Sequence, residues 1–336
     1  MTTDMNRLII ETTVRHTLSR LIDSPEREIR NLIDMGMEFS EGRFQKQIFS
    51  TAQTMLQNPS SAYYTLVKQA AGDIAHERLL HFGMNLGYES CTKGAHTIRD
   101  IEAKEHFNIP WALSLSLAAE KAATAPDLYE RILKECTELG IYTALILVND
   151  ALDAVIPLVQ SQPDMAFVLF INGAQISDDW LERLDAVNNV MICVADDANT
   201  AQACDKLHQA KMLYGIYRTY NEDNLEDTVS EAWLDTLKAL RPTFVILASA
   251  PQCARRVSNE VFNVTRRIRE SQHYPFVLMA LQQDLQLIDQ IISDDLCMVG
   301  FDSHGMLHTI DGLSDNPSHN IFTHSLKDIL QDALKK

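Results

Sequence analysis

The sequence predicts an α/β fold in which an all-helical N-terminal domain, residues 1–108, precedes a partial or complete parallel (β/α) barrel, residues 109–336. Two observations predict it. Up to residue 108 the apolar residues recur at helical spacing, and from residue 109 short apolar runs alternate with helical segments. Such alternation is typical of right-handed βαβ units that share a parallel sheet.

Periodicity and capping residues predict the helices of the N-terminal domain. Apolar residues between 6 and 21 share one helix face, and a second helix is expected to begin after Ser24, a good N-cap, with Pro25 in its first turn. The stretch 81–88 carries two glycines and an asparagine and is predicted to be a sharp loop. Further helices are predicted at residues 63–71, 74–82 and 93–107.

Seven apolar runs follow, and they are nearly continuous in Val, Ile, Leu and Phe, as expected for strands buried on both faces. No Gly-rich phosphate loop follows the first run, which argues against a dinucleotide-binding sheet. The predicted strands are residues 111–117, 142–148, 166–171, 190–195, 213–219, 244–248 and 276–280. The predicted helices between them are residues 126–139, 150–161, 178–187, 197–210, 224–240 and 256–271. A hairpin at 296–310, with its turn at 302–305, and a helix at 326–334 complete the chain.

The composition excludes several classes of protein. No stretch approaches about 18 uninterrupted apolar residues, so no membrane span is expected, and the N-terminus does not resemble a secretory signal. We therefore expect a cytoplasmic protein. The net charge of −17 repels phosphate backbones, so no nucleic-acid partner is expected. Arginines between 255 and 269 share a predicted helix with Glu260 and Glu270 and are interpreted as a solvated helix face.

The six cysteines are scattered, and the closest two, Cys193 and Cys204, are separated by ten residues. Zinc and iron–sulfur sites usually take at least two ligands from one short loop, such as Cys-x2-Cys. We therefore expect no metal site of this kind, and no disulfides without an export signal. The cysteines are interpreted as small buried apolar residues.

Two segments carry a family resemblance. The Asn-Ile-Pro-Trp sequence at 108–111 leads into the first strand, and residues 164–176 resemble the "F-L-x-F-T-N-G-T-L-I" third strand of radical SAM enzymes. Residues 82–88 and 93–99 resemble the helical extension that precedes the barrel in one bacterial branch of that superfamily. The likeness runs from about residue 15 to 330 and implies a barrel of radical SAM type.

The sequence departs from this family at its cofactor motifs. The family carries Cys-x3-Cys-x2-Cys after the first strand, which holds a [4Fe–4S] cluster that binds S-adenosylmethionine. Here residues 118–126 contain no cysteine, and residues 148–151 read Val-Asn-Asp-Ala where the family has Gly-Gly-Glu-Pro. Cys297 matches the first of two hairpin cysteines, but the second, expected near Ile310, is absent. We therefore expect neither the cluster nor S-adenosylmethionine, and no other cofactor, and Cys297 is interpreted as a remnant of a lost auxiliary site.

Candidate site residues follow the predicted strands, because barrel proteins place their sites at the carboxyl ends of strands. Asn149 and Asp150 follow the second strand, Asn172 and Gly173 the third, and Asp196 the fourth. Two alternatives remain open: Asn172 caps the end of its strand, and Asp150 or Asp196 is the N-cap of the following helix. The carboxylates of this rim are also ligands of the kind that Mg²⁺ prefers. No catalytic residue is identified.

Polar residues outside the rim are weaker candidates. Asn85, Tyr88 and Lys93 are predicted to lie in the loop before the barrel, where they line a pocket or pin the extension to the barrel. Four C-terminal histidines lack zinc-site spacing and are interpreted as surface or turn residues: His304, His308, His319 and His324.

Two functional hypotheses remain. The first is a cluster-less radical-SAM-like pseudoenzyme that acts as a binding, partner or regulatory subunit, either as a homo-oligomer or in a hetero-complex with an active radical SAM homologue. The alternative is an enzyme that uses the barrel rim for non-radical, metal-assisted chemistry on a small molecule. A fold resemblance alone does not decide between them.

Overall fold

The computed structural model describes the whole chain except residues 1, 22, 39, 41, 42 and 126. Its helices before the sheet are α1 (Thr2–Arg20), α2 (Pro25–Glu38), α3 (Arg43–Met55), α4 (Tyr63–Asp73), α5 (His76–Met84), a π-helix (Asn85–Gly94) and α6 (Ala95–Glu105). Later helices are α7 (Ala119–Thr124), α8 (Asp127–Glu138), α9 (Leu152–Ser161), α10 (Asp178–Leu184), α11 (Thr200–Gln209), α12 (Leu225–Thr228), α13 (Glu231–Leu237), α14 (Arg255–Ser271), α15 (Leu281–Ser293) and α16 (Leu326–Ala333). In the described part of the chain no helix is long and apolar enough to cross a membrane.

The strands form one ten-stranded sheet in the order β10-β9-β8-β1-β2-β3-β4-β5-β6-β7. The pairs β1–β2, β2–β3, β5–β6, β6–β7 and β1–β8 are parallel, whereas the C-terminal strands β8, β9 and β10 pair antiparallel. The strands are β1 (Ala112–Ser116), β2 (Thr143–Leu147), β3 (Ala166–Ile171), β4 (Val190–Ala195), β5 (Tyr214–Tyr220), β6 (Phe244–Ser249), β7 (Val277–Ala280), β8 (Val299–Phe301), β9 (Leu307–Thr309) and β10 (Gly312–Leu313).

The chain divides into two compact units. Unit 1 comprises Met1–Met84 and Cys193–Gln283, and unit 2 comprises Asn85–Ile192 and Asp284–Lys336. Each unit therefore combines part of the helical N-terminal region with part of the sheet. The predicted domain boundary after residue 108 stays a prediction.

All seven predicted strands are present, and β3 and β4 occupy the predicted residues. Each residue of β3 is buried, which is the environment that its unbroken apolar sequence indicates. The predicted hairpin is β8–β9, and Gly305 adopts a positive φ of 80° in its turn. The predicted helix at 126–139 is α8; Pro126 lies outside the described residues.

Some predicted helices are wrong. Residues 224–240 do not form one helix, because Ser230 accepts a hydrogen bond from the backbone of Trp233 and starts α13 separately from α12. The helices α7 and α15 and the short strand β10 were not predicted from the sequence.

The predicted loop at 81–88 is also wrong. Helix α5 runs to Met84, and the chain continues directly into the π-helix. A side chain on Gly83 or Gly87 would meet nothing within 4 Å, so neither glycine marks a close approach. At Gly94 an added Cβ would collide with the carbonyl oxygen of Gly140, and this contact between backbones is what requires glycine.

Candidate functional site

The segment after β1 lies where the resembled family binds its cluster. Ala118 is the N-cap residue of α7, and its backbone N–H donates to the Tyr129 hydroxyl at 2.8 Å. The sequence of α7 is Ala-Glu-Lys-Ala-Ala-Thr, which offers no thiol or imidazole. A [4Fe–4S] cluster is held by thiolates, so these residues do not fit one. We therefore derive no chemistry through a cluster or its cofactor.

Asn149 connects the carboxyl ends of β1, β2 and β3 in unit 2. Its backbone has a φ of 46°. Asparagine adopts this left-handed conformation more readily than most residues. The side-chain amide donates to the Ser116 hydroxyl and to the Leu117 carbonyl, each at 3.2 Å. The carbonyl of Asn149 in turn accepts a hydrogen bond from the Gln175 amide at 2.6 Å, so its polar groups are bonded to the neighbouring strand ends.

Asn172 and Gly173 form the start of a short 3₁₀-helix, Gly173–Gln175, directly after β3. The Asn172 side chain accepts from the Ala174 backbone at 2.9 Å, and the Gln175 side chain accepts from the Asn172 backbone at 3.3 Å. This reciprocal pair is a capping box, so the capping interpretation of Asn172 is confirmed. Gly173 is buried.

The two rim carboxylates have different surroundings. Asp150 is exposed, and the N-cap of α9 is Ala151, which has no side-chain cap, so the N-cap interpretation of Asp150 is wrong. Asp196, in unit 1, accepts hydrogen bonds from Arg218 at 2.6 Å and from the Trp233 indole at 3.1 Å. Asn199 is the N-cap of α11, so the same interpretation of Asp196 is also wrong.

The Asp196 cluster is satisfied internally. The Arg218 guanidinium lies 3.8 Å from the centre of the Trp233 ring while it neutralises Asp196. The ring contact is a cation–π interaction. Among the described residues no group of three or more His, Cys, Asp or Glu side chains is placed to hold a metal ion. Mg²⁺ is commonly held by only one or two carboxylates together with waters, so the Mg²⁺ interpretation of the rim stays a prediction.

The N-terminal candidates lie in the π-helix of unit 2, at the opposite ends of the strands. The Asn85 amide donates to the carbonyls of Pro163 and Met165 at 2.7 and 2.9 Å, just before β3 begins. Lys93 lies 4.9 Å from the centre of the Tyr142 ring, just before β2, and Tyr88 is buried. These contacts hold the extension against the amino ends of the strands, where barrel residues usually serve stability.

Two buried carboxylates hold the Asn-Ile-Pro-Trp segment, and no sequence pattern identified them. Asp289 on α15 accepts from the Trp111 backbone at 2.7 Å, and burial raises its pKa to about 7. Glu102 on α6 accepts from the Ile109 backbone at 2.8 Å and pairs with Lys336 at 3.1 Å; burial raises its pKa too. Both shifts arise because burial disfavours the charged form of a carboxyl group. The two hydrogen bonds fix the backbone of this segment, which leads directly into β1, and thereby position the start of that strand.

Five of the six cysteines are buried. Burial raises the pKa of Cys91 and of Cys204 to about 12 each, and it also raises the pKa values of Cys136, Cys193 and Cys297. Cys297 donates to the Ile109 carbonyl at 3.5 Å and thus supports the same segment. Its origin as a remnant of an auxiliary site stays a prediction.

Two sequence interpretations of charged surfaces had different outcomes. Helix α14 carries Arg256 and Arg266 on its exposed surface, paired with Glu260 and Glu270 at 3.6 and 3.7 Å, which confirms a solvated helix face. His319, in contrast, is 9% exposed. Its ring nitrogens contact the Ser314 hydroxyl at 2.7 Å and the Asp332 carboxylate at 3.0 Å, and it ends the short 3₁₀-helix Pro317–His319, so of the two interpretations, surface or turn residue, the turn fits this histidine.

No family model matches the chain, and no curated protein is similar to it in sequence. Solved structures do share its fold. SuiB from Streptococcus suis, a radical SAM enzyme, aligns over 96% of this chain and 82% of its own length, with a TM-score of 0.53 and 11% identity. The structure of SuiB bound to S-adenosylmethionine aligns over 90% of this chain and 79% of its own length, with a TM-score of 0.54 and 12% identity. The radical SAM enzyme anSMEcpe aligns over 65% of this chain and 80% of its own length, with a TM-score of 0.44 and 11% identity.

At this identity the likeness to SuiB concerns the fold alone. It confirms the predicted fold class, an α/β protein with a helical N-terminal region and a mostly parallel ten-stranded sheet of the radical SAM partial-barrel type.

Proposed function

We propose that this chain is a cluster-less, cytoplasmic radical-SAM-like protein that acts as a binding or partner subunit beside an active homologue. The observation that carries the proposal is the chemistry of the segment after β1. A chain with the fold of radical SAM enzymes has there a short helix, α7, without any thiol. Such a chain retains the fold of these enzymes without the ligands of their cluster.

The rim supports a role other than catalysis. The Asn149 amide donates to the Ser116 hydroxyl, the Asn172 amide oxygen accepts from the Ala174 backbone, and the Gln175 amide donates to the Asn149 carbonyl. These side chains therefore stabilise the carboxyl ends of the strands. Asp196 is likewise neutralised by Arg218. A binding function therefore has to use another part of the surface.

The C-terminal edge of the sheet in unit 2 is the surface that we assign to the partner. Strand β10 is the last strand in the order, and edge strands present unpaired backbone groups to other chains. Leu313 on this strand is 59% exposed, and Ile310 in the turn before it is 46% exposed. Exposed apolar side chains beside an unpaired edge strand are typical of a surface that a protein partner covers.

Affinity capture with the full-length chain, followed by mass spectrometry, tests the proposal. We expect recovery of a chain that carries Cys-x3-Cys-x2-Cys, and a change in the activity of that partner when the two are mixed. Leu313→Asp is expected to weaken capture at least about tenfold, the effect of about 1.4 kcal/mol at an interface.

Leu287→Asp is the matched control, because Leu287 is 43% exposed in the same unit but lies on α15. Equal loss of capture in both variants would contradict the assignment of the edge. Failure to recover any cysteine-bearing homologue under these conditions would contradict the partner role itself.

A further inference from the structure

Three side chains of unit 2 form a hydrogen-bonded chain of serine, histidine and aspartate. Ser314 directly follows β10, His319 ends the 3₁₀-helix Pro317–His319, and Asp332 lies on α16. The Ser314 hydroxyl oxygen lies 2.7 Å from the His319 Nδ1, and the His319 Nε2 lies 3.0 Å from the Asp332 Oδ2. These residue types, bonded in this order, are the groups that activate a serine for attack on a carbonyl carbon.

The two partners of the imidazole ring decide which nitrogen carries the hydrogen. A carboxylate can only accept, so the His319 Nε2 carries the hydrogen and donates it to Asp332. The lone pair of Nδ1 therefore accepts from the Ser314 hydroxyl. In serine proteases the ring is turned the other way, with Nε2 at the serine, but each nitrogen has a partner of the same chemistry. His319 is thus held as a base within hydrogen-bond distance of the serine proton.

The three groups differ in exposure, as this chemistry requires. His319 is 9% exposed, so its ring is held between its two partners with little contact to water. Asp332 is exposed, and the Asn316 amide donates to its Oδ2 at 3.2 Å, which helps to hold the carboxylate against the ring. Ser314 is half-buried, so its hydroxyl stays within reach of a small molecule.

Two backbone N–H groups follow the serine. That of Asn316 donates to the Ser314 Oγ at 3.2 Å and so stabilises negative charge on this oxygen as its proton leaves. That of Asp315, an exposed residue, donates to no group in the described part of the chain. The residue after a nucleophilic serine supplies one oxyanion donor in hydrolases. The segment thus offers one donor for the attacking oxygen and one for the carbonyl oxygen of a substrate.

We propose that Ser314 is a nucleophile that hydrolyses small esters, with His319 as its base and Asp332 as a positioning residue. The Ser314 oxygen bonds to the carbonyl carbon while its proton moves to the His319 Nδ1. The C–O bond of the ester then breaks, and the alcohol leaves with that proton. Water attacks the acyl-serine and gives a proton to Nδ1, the bond to Ser314 breaks, and the carboxylic acid leaves as Ser314 regains the proton.

This activity goes beyond the proposed partner role and does not depend on it. All three residues belong to one chain and one unit, so the isolated protein tests the activity without any partner. Because Ser314 and Asp332 both reach the surface, small esters of activated alcohols are the expected substrates.

Reaction of the full-length chain with a fluorophosphonate tests the site. The serine oxygen bonds to phosphorus and displaces fluoride, and peptide mass spectrometry locates the adduct. We expect the adduct on Ser314, and with p-nitrophenyl acetate a burst of p-nitrophenol that Ser314→Ala lacks. His319→Gln should slow labelling of Ser314 at least about a hundredfold, the usual contribution of a positioned base.

Asp332→Asn separates positioning from support of the fold. The variant keeps an oxygen for both hydrogen-bond donors but removes the charge that stabilises the protonated ring. It should lower the maximal labelling rate about tenfold and leave the half-saturating probe concentration unchanged, since charge-assisted hydrogen bonds are about twice as strong as neutral ones. Labelling at the parent rate would refute the positioning role of Asp332.

Ser318→Ala is the matched control, because Ser318 is an exposed serine of the same 3₁₀-helix, and the variant should label at the parent rate. Circular dichroism checks that each variant folds. Absence of an adduct from Ser314 would overturn the proposal. Labelling of Ser314 at equal rates in the parent chain, in His319→Gln and in Asp332→Asn would overturn it as well.

Discussion

Replacement of Asp289 by asparagine gives the sharpest prediction about stability. Asp289 is 2% exposed, and burial raises its pKa from the ordinary 3.8 to about 7, although the Trp111 N–H bond opposes the shift and Glu102 adds to it. The folded chain therefore holds this proton more tightly than the unfolded chain. Protonation of Asp289 therefore contributes to the free energy of unfolding. This contribution is fully present below about pH 4 and is lost as the pH rises through about 7.

The magnitude follows from the two pKa values, which differ by about three pH units. Each unit corresponds to about 1.4 kcal/mol, so about 4 kcal/mol is lost between about pH 4 and 7, as an upper bound. In Asp289→Asn the amide oxygen can still accept from Trp111, but nothing titrates. The variant is therefore expected to be more stable than the parent chain above pH 7 and about equally stable near pH 4.

Urea unfolding from pH 4 to 8.5, followed by circular dichroism, measures this difference. Asp311→Asn, which changes an exposed aspartate of the same unit, is the control and should follow the parent profile. The reasoning is refuted if Asp289→Asn retains the pH profile of the parent chain, or is less stable than it above pH 7.

Three further predictions concern the strand ends and the glycine contact. Gly94→Ala should lower the free energy of unfolding by about 2 kcal/mol, because overpacking against the Gly140 backbone costs energy of this order. Gly87→Ala, with open space around it, should leave that free energy unchanged or raise it slightly, and urea unfolding compares the two variants. Asn149→Ala should cost about 2 kcal/mol in the same assay, since it loses hydrogen bonds and strains a left-handed backbone. Asn149→Gly should cost less, because glycine tolerates the positive φ. Millimolar Mg²⁺ should leave the melting temperature unchanged; a rise that Asp150→Ala abolishes would support metal-assisted chemistry at the rim instead.

The strands were predictable because burial on both faces leaves a continuous apolar run. The sequence of β3 is apolar at each of its six positions, and the structure buries all six. Helix α15 was missed although Leu281, Leu285, Ile288 and Ile292 recur at helical spacing, because the helix follows β7 directly with no turn or capping residue to mark its start. The π-helix could not be predicted because Gly83 and Gly87 suggested a loop, whereas the constraint lies at Gly94 and depends on a distant backbone contact.

The candidate site was predictable only in part. Strand ends identified Asn149 and Asn172, since any residue after a parallel strand lies on the rim. Their roles could not be read from the sequence, because the partners of Asn149 come from β1 and from the 3₁₀-helix after β3.

The most direct test of the central claim is anaerobic reconstitution of the full-length chain with iron and sulfide. Absorbance near 400 nm and the iron content per chain are then measured after removal of unbound metal. The proposed function predicts no stoichiometric cluster and no cleavage of added S-adenosylmethionine under reducing conditions. About four irons per chain with that absorption band would contradict it. Reductive cleavage of S-adenosylmethionine would show that the chain is itself an active radical SAM enzyme.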